Sequence, residues 1–253
     1  MAYQAIFKRY ELKYMLTRSQ KEAILKAMEP YMALDKYGRT TIRNLYFDTE
    51  NYRLIRHSIE KPVYKEKLRL RSYRLAEPDS PVFVELKKKF KSVVYKRRLS
   101  MPEEEAMHWL CDELPKDISA DAFLECFLSS DGSDNQIAQE IRYFKEYYKT
   151  LHPTVFLSYE REAYYCRSGG DFRVTFDDHI LYRQDNLSLE SEISGTPLLD
   201  DDKVLMEIKT SGGIPLWMTH ALSENHIYKT SFSKYGTAYK EILTNHKGEY
   251  LHA

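Results

Sequence analysis

Apolar and charged side chains alternate along much of this chain with a period of two. In KEKLRLRSYR, residues 65–74, Lys67, Arg69 and Arg71 share one parity, whereas Leu68 and Leu70 take the other. Successive side chains of a strand point to opposite faces, so this stretch predicts a strand with one cationic and one apolar face. Similar stretches, bounded by Gly, Pro, Asp or Ser, predict strands at 7–15, 41–48, 63–74, 81–90, 92–100, 154–165, 171–183 and 203–210.

Helical signals lie between these strands and after them. Thr17 and Gln20 form a capping box that predicts a helix at 17–32, and Pro102 opens one at 102–112. Further helices are predicted at about 134–151, 215–225 and 232–245. The polar, acidic segment 184–203 is expected to be a loop or hairpin insertion. Because no linker or repeat divides the chain, we predict a single domain over residues 1–253, with its core at about 5–245.

Positive and negative side chains balance over the whole chain, so any functional charge must be concentrated locally. The 38 Lys and Arg residues equal the 38 Asp and Glu residues, so the net formal charge gives no drive toward nucleic acid or an anionic membrane. The basic run at 87–91 lies inside a strand pattern, and we expect no nucleic-acid partner. No signal peptide or membrane-spanning segment is recognisable, which predicts a cytoplasmic protein.

Several common kinds of site are excluded by spacing. The three cysteines, Cys111, Cys126 and Cys166, show no CxxC spacing, so a disulfide framework or a zinc knuckle is disfavoured. The eight histidines show no HxxxH or HExxH spacing, and there is no GxxxxGK[ST] motif. Zinc catalysis and a P-loop enzyme are therefore disfavoured.

The charged faces of the predicted strands are mostly cationic. They carry twelve bases, Arg9, Lys13, Lys67, Arg69, Arg71, Lys87, Lys89, Lys96, Arg98, Arg161, Arg173 and Lys209, and four acids, Glu11, Glu85, Asp177 and Glu207. For any one strand, the ordinary interpretation is a solvated face of a two-layer α+β domain.

Taken together, the strands favour a different arrangement. We expect an α+β fold in which about eight antiparallel strands close into a barrel, with the cations lining a tunnel and the helices packed outside. So many cations in a confined space repel one another and require an anionic ligand. A polyphosphate would neutralise several of them, whereas a single carboxylate or sulfate would neutralise one or two.

Short motifs in a fixed order carry a family resemblance across about residues 5–240. The chain resembles the VTC-domain polyphosphate polymerases of the triphosphate tunnel metalloenzyme (CYTH-like) superfamily. The motifs are RYELKY (9–14), NLYFDT (44–49), KLRLRSY (67–73), VFVELKKK (82–89), VYKRRL (94–99), YEREAY (159–164), RVTFD (173–177), LMEIKT (205–210) and SFSKY (231–235).

The resemblance implies a phosphoryl transfer reaction in a basic tunnel. The polymerases of this family transfer the γ-phosphoryl group of ATP to a polyphosphate chain with a divalent metal, Mn²⁺ or Mg²⁺. The implied catalytic residues are Lys13, Arg69, Arg71, Lys87, Arg161 and Glu207. With the parity pattern, the phosphate ligands are expected to be Arg9, Lys67, Lys89, Lys96, Arg98, Arg173, Lys209, Lys229 and Lys234, and the metal ligands Glu207, Glu11 and Glu85.

The chain departs from the family pattern at two places. Ser231 stands where the polymerases have the first lysine of K-F-S-K, although Lys229 lies two residues upstream. The hydrolytic relatives open with E-x-E-x-K, whereas here Arg9 replaces the first acid, which favours the polymerase pattern.

Two other activities remain open at this point. One is a tripolyphosphatase or nucleoside triphosphatase of the same fold, and the other is a non-catalytic polyphosphate-binding module. Glu207 could also be half of an ion pair with Lys209, and Glu85 could orient bases without touching metal. The expected partners are ATP and polyphosphate, with a membrane protein as a further possibility.

Overall fold

The computed structural model describes residues 10–91, 93–111, 119–125 and 133–251, so Arg9 and Cys126 lie outside the described residues. The described chain contains an extensive antiparallel sheet and helices that pack on both of its faces. In chain order the elements are β1 (Tyr10–Thr17), α1 (Arg18–Met28), β2 (Met32–Asp48), α2 (Arg53–Ile59), β3 (Tyr64–Ser72), β4 (Pro81–Phe90), β5 (Val93–Pro102), α3 (Glu103–Leu110), α4 (Ala120–Glu125), α5 (Ser133–Tyr148), β6 (His152–Cys166), β7 (Arg173–Arg183), β8 (Thr196–Pro197), β9 (Lys203–Thr210), α6 (Leu216–Glu224), β10 (Lys229–Thr230) and α7 (Lys234–Leu251).

The strands form one sheet that curls without closing. Its order is β10-β1-β9-β7-β6-β2-β3-β4-β5, with β8 paired to β7, and in the described residues no backbone pairing joins the two ends. The predicted closed barrel is therefore wrong. Alternation fixes the face on which each side chain lies, but it does not specify whether the end strands pair. The curl still brings the ends near each other, because Lys87 Nζ of β4 lies 3.5 Å from a Glu11 carboxylate oxygen of β1.

The apolar faces of the strands pack outward against helices, as the alternation predicts. Leu68, Leu70, Val84 and Leu86 are essentially inaccessible and share a cluster with residues of α3, α4 and α5. A second cluster joins β1, β7 and β9 to α1 and α6. Burial of apolar surface stabilises the fold by about 25 cal/mol per Å². The apolar faces therefore turn toward the helices, and the opposite, cationic faces line the concave side of the sheet.

Helix α7 does not pack outside the sheet, where the helices were predicted to lie. In α7, Tyr235, Ala238 and Ile242 share a buried cluster with Leu157 of β6 and Leu205 of β9. Leu157 has the parity of Arg161, and Leu205 has that of Glu207. Helix α7 therefore packs on the concave, charged face of the sheet, where it forms one wall of the space that the strands enclose.

Most predicted elements are present, with shifted ends. The predicted helix at 17–32 ends at Met28, shortly before Pro30, although its capping box forms, with Thr17 and Gln20 each accepting from the backbone N–H of the other. Strand β2 begins at Met32 rather than residue 41. Residues 184–203 are mostly irregular, with the short strand β8 pairing to the end of β7. No helix in the described ranges combines the length and apolarity that crossing a bilayer requires.

Helix α2 was not predicted, because its cap does not come from the N-cap residue itself. Its N-cap residue, Tyr52, has a left-handed backbone (φ 57°) and no capping side chain. Instead, buried Asp48 accepts from the backbone N–H groups of Leu54 (2.8 Å) and Ile55 (3.0 Å) and from the Tyr235 hydroxyl (2.9 Å). Burial raises the pKa of Asp48, and the hydrogen bonds oppose this shift. Asp48 thus ties the start of α2 to the start of α7.

Replacing Asp48 by Ala should therefore destabilise the fold strongly. The change leaves several buried donors without an acceptor, so we expect the free energy of unfolding to fall by about 3 kcal/mol or more. Urea titration followed by circular dichroism measures the loss. In the control Asp35→Ala, which removes an exposed hydrogen bond from the Tyr37 backbone, the loss should stay below about 1 kcal/mol. Equal losses in the two variants would contradict the capping role.

Candidate functional site

The concave face encloses a cavity of about 410 Å³ bounded by strands from both ends of the sheet and by the first turn of α7. This volume lies in the range of small-molecule sites. Most of the predicted site residues line it: Glu11, Lys13, Lys67, Arg69, Arg71, Lys87, Lys96, Arg161, Glu207, Lys209 and Lys234. The curl of the sheet therefore gathers cations that are far apart in the sequence.

Strand register aligns the cations of β3, β4 and β5 in rows. Lys67 is opposite Lys87, which is opposite Lys96. Directly opposed residues on one face have Cβ atoms about 5 Å apart, so three lysines lie side by side. Burial and the neighbouring Lys87, Lys65 and Lys13 lower the pKa of Lys67 to about 7. The row thus holds more positive charge than its surroundings stabilise.

The adjacent row contains a buried carboxylate. Glu85 of β4 lies between Arg69 and Arg98 and is fully buried. Arg69 Nη2 lies 2.6 Å and Arg98 Nη2 2.7 Å from its oxygens, and Lys96 Nζ lies at 2.5 Å. Burial alone would raise the pKa of Glu85, but the cations, Arg69 foremost, hold it well below its usual range. Both Glu85 oxygens are occupied by cations, and this arrangement suits a residue that orients bases better than a metal ligand.

Arg161 and Lys234 form the opposite wall around a second buried acid, Asp177 of β7. Arg161 donates to the two Asp177 oxygens through Nε and Nη2, each at 2.6 Å, and Lys234 Nζ lies 2.5 Å from one of them. Burial opposes ionisation of Asp177, but these two cations keep its pKa below the usual value. Asp177 was absent from the predicted site because its partners become apparent only with the strand register.

Glu207 of β9 lies among four cations on the cavity surface. Its oxygens are 3.3–3.5 Å from nitrogen atoms of Lys13, Lys209, Lys234 and Arg161. Burial favours the neutral acid, but these cations outweigh it and hold the pKa of Glu207 well below its usual range. Glu207 is therefore an ionised carboxylate at neutral pH.

Glu11 gives the cavity a second ionised carboxylate near Glu207. Lys87 is the main cause that lowers the pKa of Glu11 to about 2, against the effects of burial and of Glu207. Lys13 Nζ lies between the two acids, 3.5 Å from Glu11 and 3.3 Å from Glu207.

These two carboxylates fit a divalent cation only when other ligands join them. Within the described ranges, no cluster of three or more His, Cys, Asp or Glu side chains forms a ready-made metal site. Mg²⁺ is commonly bound by one or two carboxylates together with substrate phosphates and water. Glu207 and Glu11 suit that mode of binding, in which phosphate oxygens complete the coordination.

Tyrosines hold two of the arginines in place. Arg71 Nε donates to the Asn44 side-chain oxygen (2.9 Å), and its Nη2 donates to the Tyr159 hydroxyl (3.0 Å). Arg69 Nη1 donates to the Tyr46 hydroxyl (3.1 Å). Burial opposes ionisation of Tyr159, but Arg161, Arg71 and Lys234 outweigh it and lower its pKa below the ordinary value. The guanidinium groups are thus held in fixed orientations before any ligand binds.

The residues that begin α7 bind to cations on the strands. Lys13 Nζ donates to the Phe232 carbonyl (2.9 Å), and Lys67 Nζ donates to the Ser233 hydroxyl (3.1 Å). Tyr235 stacks on Tyr46 with ring centroids 4.5 Å apart. The SFSKY motif therefore closes one side of the cavity. Ser233, Tyr235, Tyr46 and Tyr159 line it and were not predicted, although each lies in or beside a quoted motif.

The remaining predicted residues do not line the cavity. Glu85 and Arg98 lie beside it, and Lys89 is one row further along β4, opposite Lys65. Arg173 is exposed at the start of β7, and Lys229 is exposed in β10.

Comparison with known proteins gives one family match. Residues 8–243 match the family model described as VTC domain. A search of functionally curated proteins found no match.

The chain also resembles solved structures, at low similarity. A candidate adenylate cyclase from Bacillus halodurans is 14% identical over 91% of this chain and 96% of that chain, with a TM-score of 0.49. One from Vibrio parahaemolyticus is 13% identical over 95% and 99%, with a TM-score of 0.46. One from Hippeastrum, described as having a dominant triphosphatase activity, is 15% identical over 90% and 93%, also at 0.46. Similarity at this level carries no argument about function.

The lowered pKa of Lys67 predicts that stability of the unliganded protein depends on pH. Between pH 7 and the ordinary lysine value of 10.5, the unfolded chain retains a proton that folded Lys67 has lost. The contribution of Lys67 to the free energy of unfolding should therefore rise with pH across this window. Urea unfolding of wild-type protein and Lys67→Met at several pH values measures it, and the rise should be smaller in the variant, where Lys96, whose pKa burial also lowers to about 7, remains. Parallel curves for the two proteins would contradict the assignment.

Proposed function

Because the chain belongs to the VTC domain family, we propose that it is an ATP-dependent polyphosphate polymerase. In this proposal, the cavity holds the triphosphate of ATP and the end of a polyphosphate chain, and the γ-phosphoryl group passes from one to the other. The main support is the cavity itself, in which nine described Lys and Arg side chains other than Arg97 face two carboxylates, Glu11 and Glu207. This excess of positive charge suits a ligand with several linked phosphates.

Phosphoryl transfer depends mainly on alignment and charge neutralisation. Arg69, Arg71 and Arg161 are already oriented by Glu85, Asn44 and Asp177, so they suit fixed, two-pronged contacts with phosphate oxygens. Little reorganisation is then needed when negative charge builds up in the transition state.

Lysines would supply mobile charge around those arginines. Lys13, Lys67 and Lys87 come from strands on both sides of the cavity, and a lysine ammonium is a point charge on a flexible stem. We propose that they follow the phosphates as the chain lengthens.

The two carboxylates would hold the metal. Mn²⁺ or Mg²⁺ bound at Glu207, with Glu11 nearby, would neutralise charge on the phosphate oxygens. Both acids are ionised and have lysines beside them, so neither is well suited to take a proton from water. This feature favours transfer to a phosphate chain over hydrolysis.

One incubation distinguishes the proposed reaction from its alternatives. Purified protein is incubated with ATP and Mn²⁺, and the products are separated on a gel that resolves phosphate chains by length. We expect a ladder of chains. Inorganic phosphate alone would indicate a triphosphatase, and tight polyphosphate binding without turnover would indicate a binding module.

Replacing Glu207 by Gln tests the metal role. The variant keeps the shape of the side chain but loses its charge, so we expect turnover to fall by at least about 100-fold, as for loss of one strong electrostatic contact in an active site. Polyphosphate binding without metal, measured by calorimetry, should persist. The matched control Glu104→Gln, an exposed position on α3, should retain wild-type turnover. Full activity of Glu207→Gln would contradict its assignment.

A further inference from the structure

A pair of lysines continues the cationic rows beyond the cavity. Lys67 and Lys87 line the cavity, and the next two positions on the same face of β3 and β4 are Lys65 and Lys89, directly opposite each other. Two residues along a strand correspond to about 6.7 Å. Lys65 and Lys89 therefore form the next row toward the start of β3.

This outer row lacks the compensation found elsewhere on the two strands. Among the described residues, no carboxylate oxygen lies within 4.0 Å of Lys65 or Lys89. Lys65 donates to the carbonyl of Ser58 (3.0 Å), which leaves its charge unneutralised. By contrast, Lys88, on the opposite face of β4, pairs with Glu140 at 3.2 Å. The uncompensated charge therefore lies on the concave face, which also lines the cavity.

The half-buried position of the pair makes this charge costly. Burial, and then Lys89, Lys87, Lys61 and Lys13, lower the pKa of Lys65. Like charges this close, partly shielded from water, repel each other, and a bound anion would relieve the repulsion.

The cationic rows extend in one direction only. At the other end, Arg71 is 5% exposed and bound by Asn44 and Tyr159, with Glu85 3.8 Å away. From Arg69 to Lys65 the strand spans about 13 Å, which is longer than a triphosphate group. A ligand that reaches from the arginines to the outer row must be a longer chain of phosphates.

We propose that Lys65 and Lys89 form a chain-length-selective subsite, which binds the phosphates of a long polyphosphate that project beyond the cavity toward the start of β3. This inference rests on the proposed function. Lys65 and Lys89 discriminate between long chains, which reach them, and triphosphates, which do not.

The test compares two ligands in three proteins. Calorimetric affinities for tripolyphosphate and for long-chain polyphosphate are measured, without metal, for wild-type protein, for the double variant Lys65→Met/Lys89→Met and for the control Lys88→Met. Loss of two charge-assisted contacts should weaken long-chain binding by roughly tenfold to a hundredfold in the double variant. Tripolyphosphate affinity should change by less than about twofold in this variant, and the control should bind both ligands as the wild type does. Thermal unfolding with a cooperative transition verifies that each variant folds.

The possible failures are distinguishable. If wild-type protein binds both ligands and the double variant loses affinity for neither, or equally for both, the subsite is overturned and the proposed function stands. The subsite is also overturned if Lys88→Met weakens long-chain binding as much as the double variant does. If wild-type protein binds neither ligand, the proposed function is overturned and the subsite with it.

Discussion

Three buried carboxylates hold the cationic face of the sheet together. Glu85, Asp177 and Glu207 each accept contacts from two or more Lys or Arg side chains, and each stays ionised because these cations outweigh the effect of burial on its pKa. Without them, the side chains on the concave face would repel one another in a space of reduced dielectric. The acids allow the sheet to curl with its cations inward, and they fix the orientation of Arg69 and Arg161.

These acids do not neutralise all the cations of the concave face, so the cavity keeps a net positive charge. The lowered pKa of Lys67 reflects an excess of positive charge in the unliganded protein. Under the proposed function, an anion with several linked phosphates would supply the missing charge along the whole row of strands, whereas a small anion would supply it at one point. In that proposal, the arginines, which are already held by acceptors, would fix the geometry of the phosphates, and the lysines, on flexible stems, would follow the chain.

Alternation in the sequence predicted the faces of the strands, but it carries no information about which strands pair, in which register, or how helices are capped. The cationic row of Lys67, Lys87 and Lys96 follows from parity together with strand pairing. Closure of the sheet does not follow, because the pairing of end strands leaves no period-two signal. Helix α2 escaped prediction because Asp48 caps it from outside the usual N-cap position. Asp177 was placed on the charged face, but its contact with Arg161 was not predicted because it depends on register.

A crystal structure of the protein with Mn²⁺ and a non-hydrolysable imido analogue of ATP is the most direct test of whether the inward-facing cations bind phosphates. We expect phosphate density inside the cavity, in contact with Arg69, Arg161 and Lys67, and an anomalous manganese peak beside Glu207. Triphosphate bound on the outer face of the sheet, with the concave cations still unoccupied, would contradict a phosphate-binding role for the cavity.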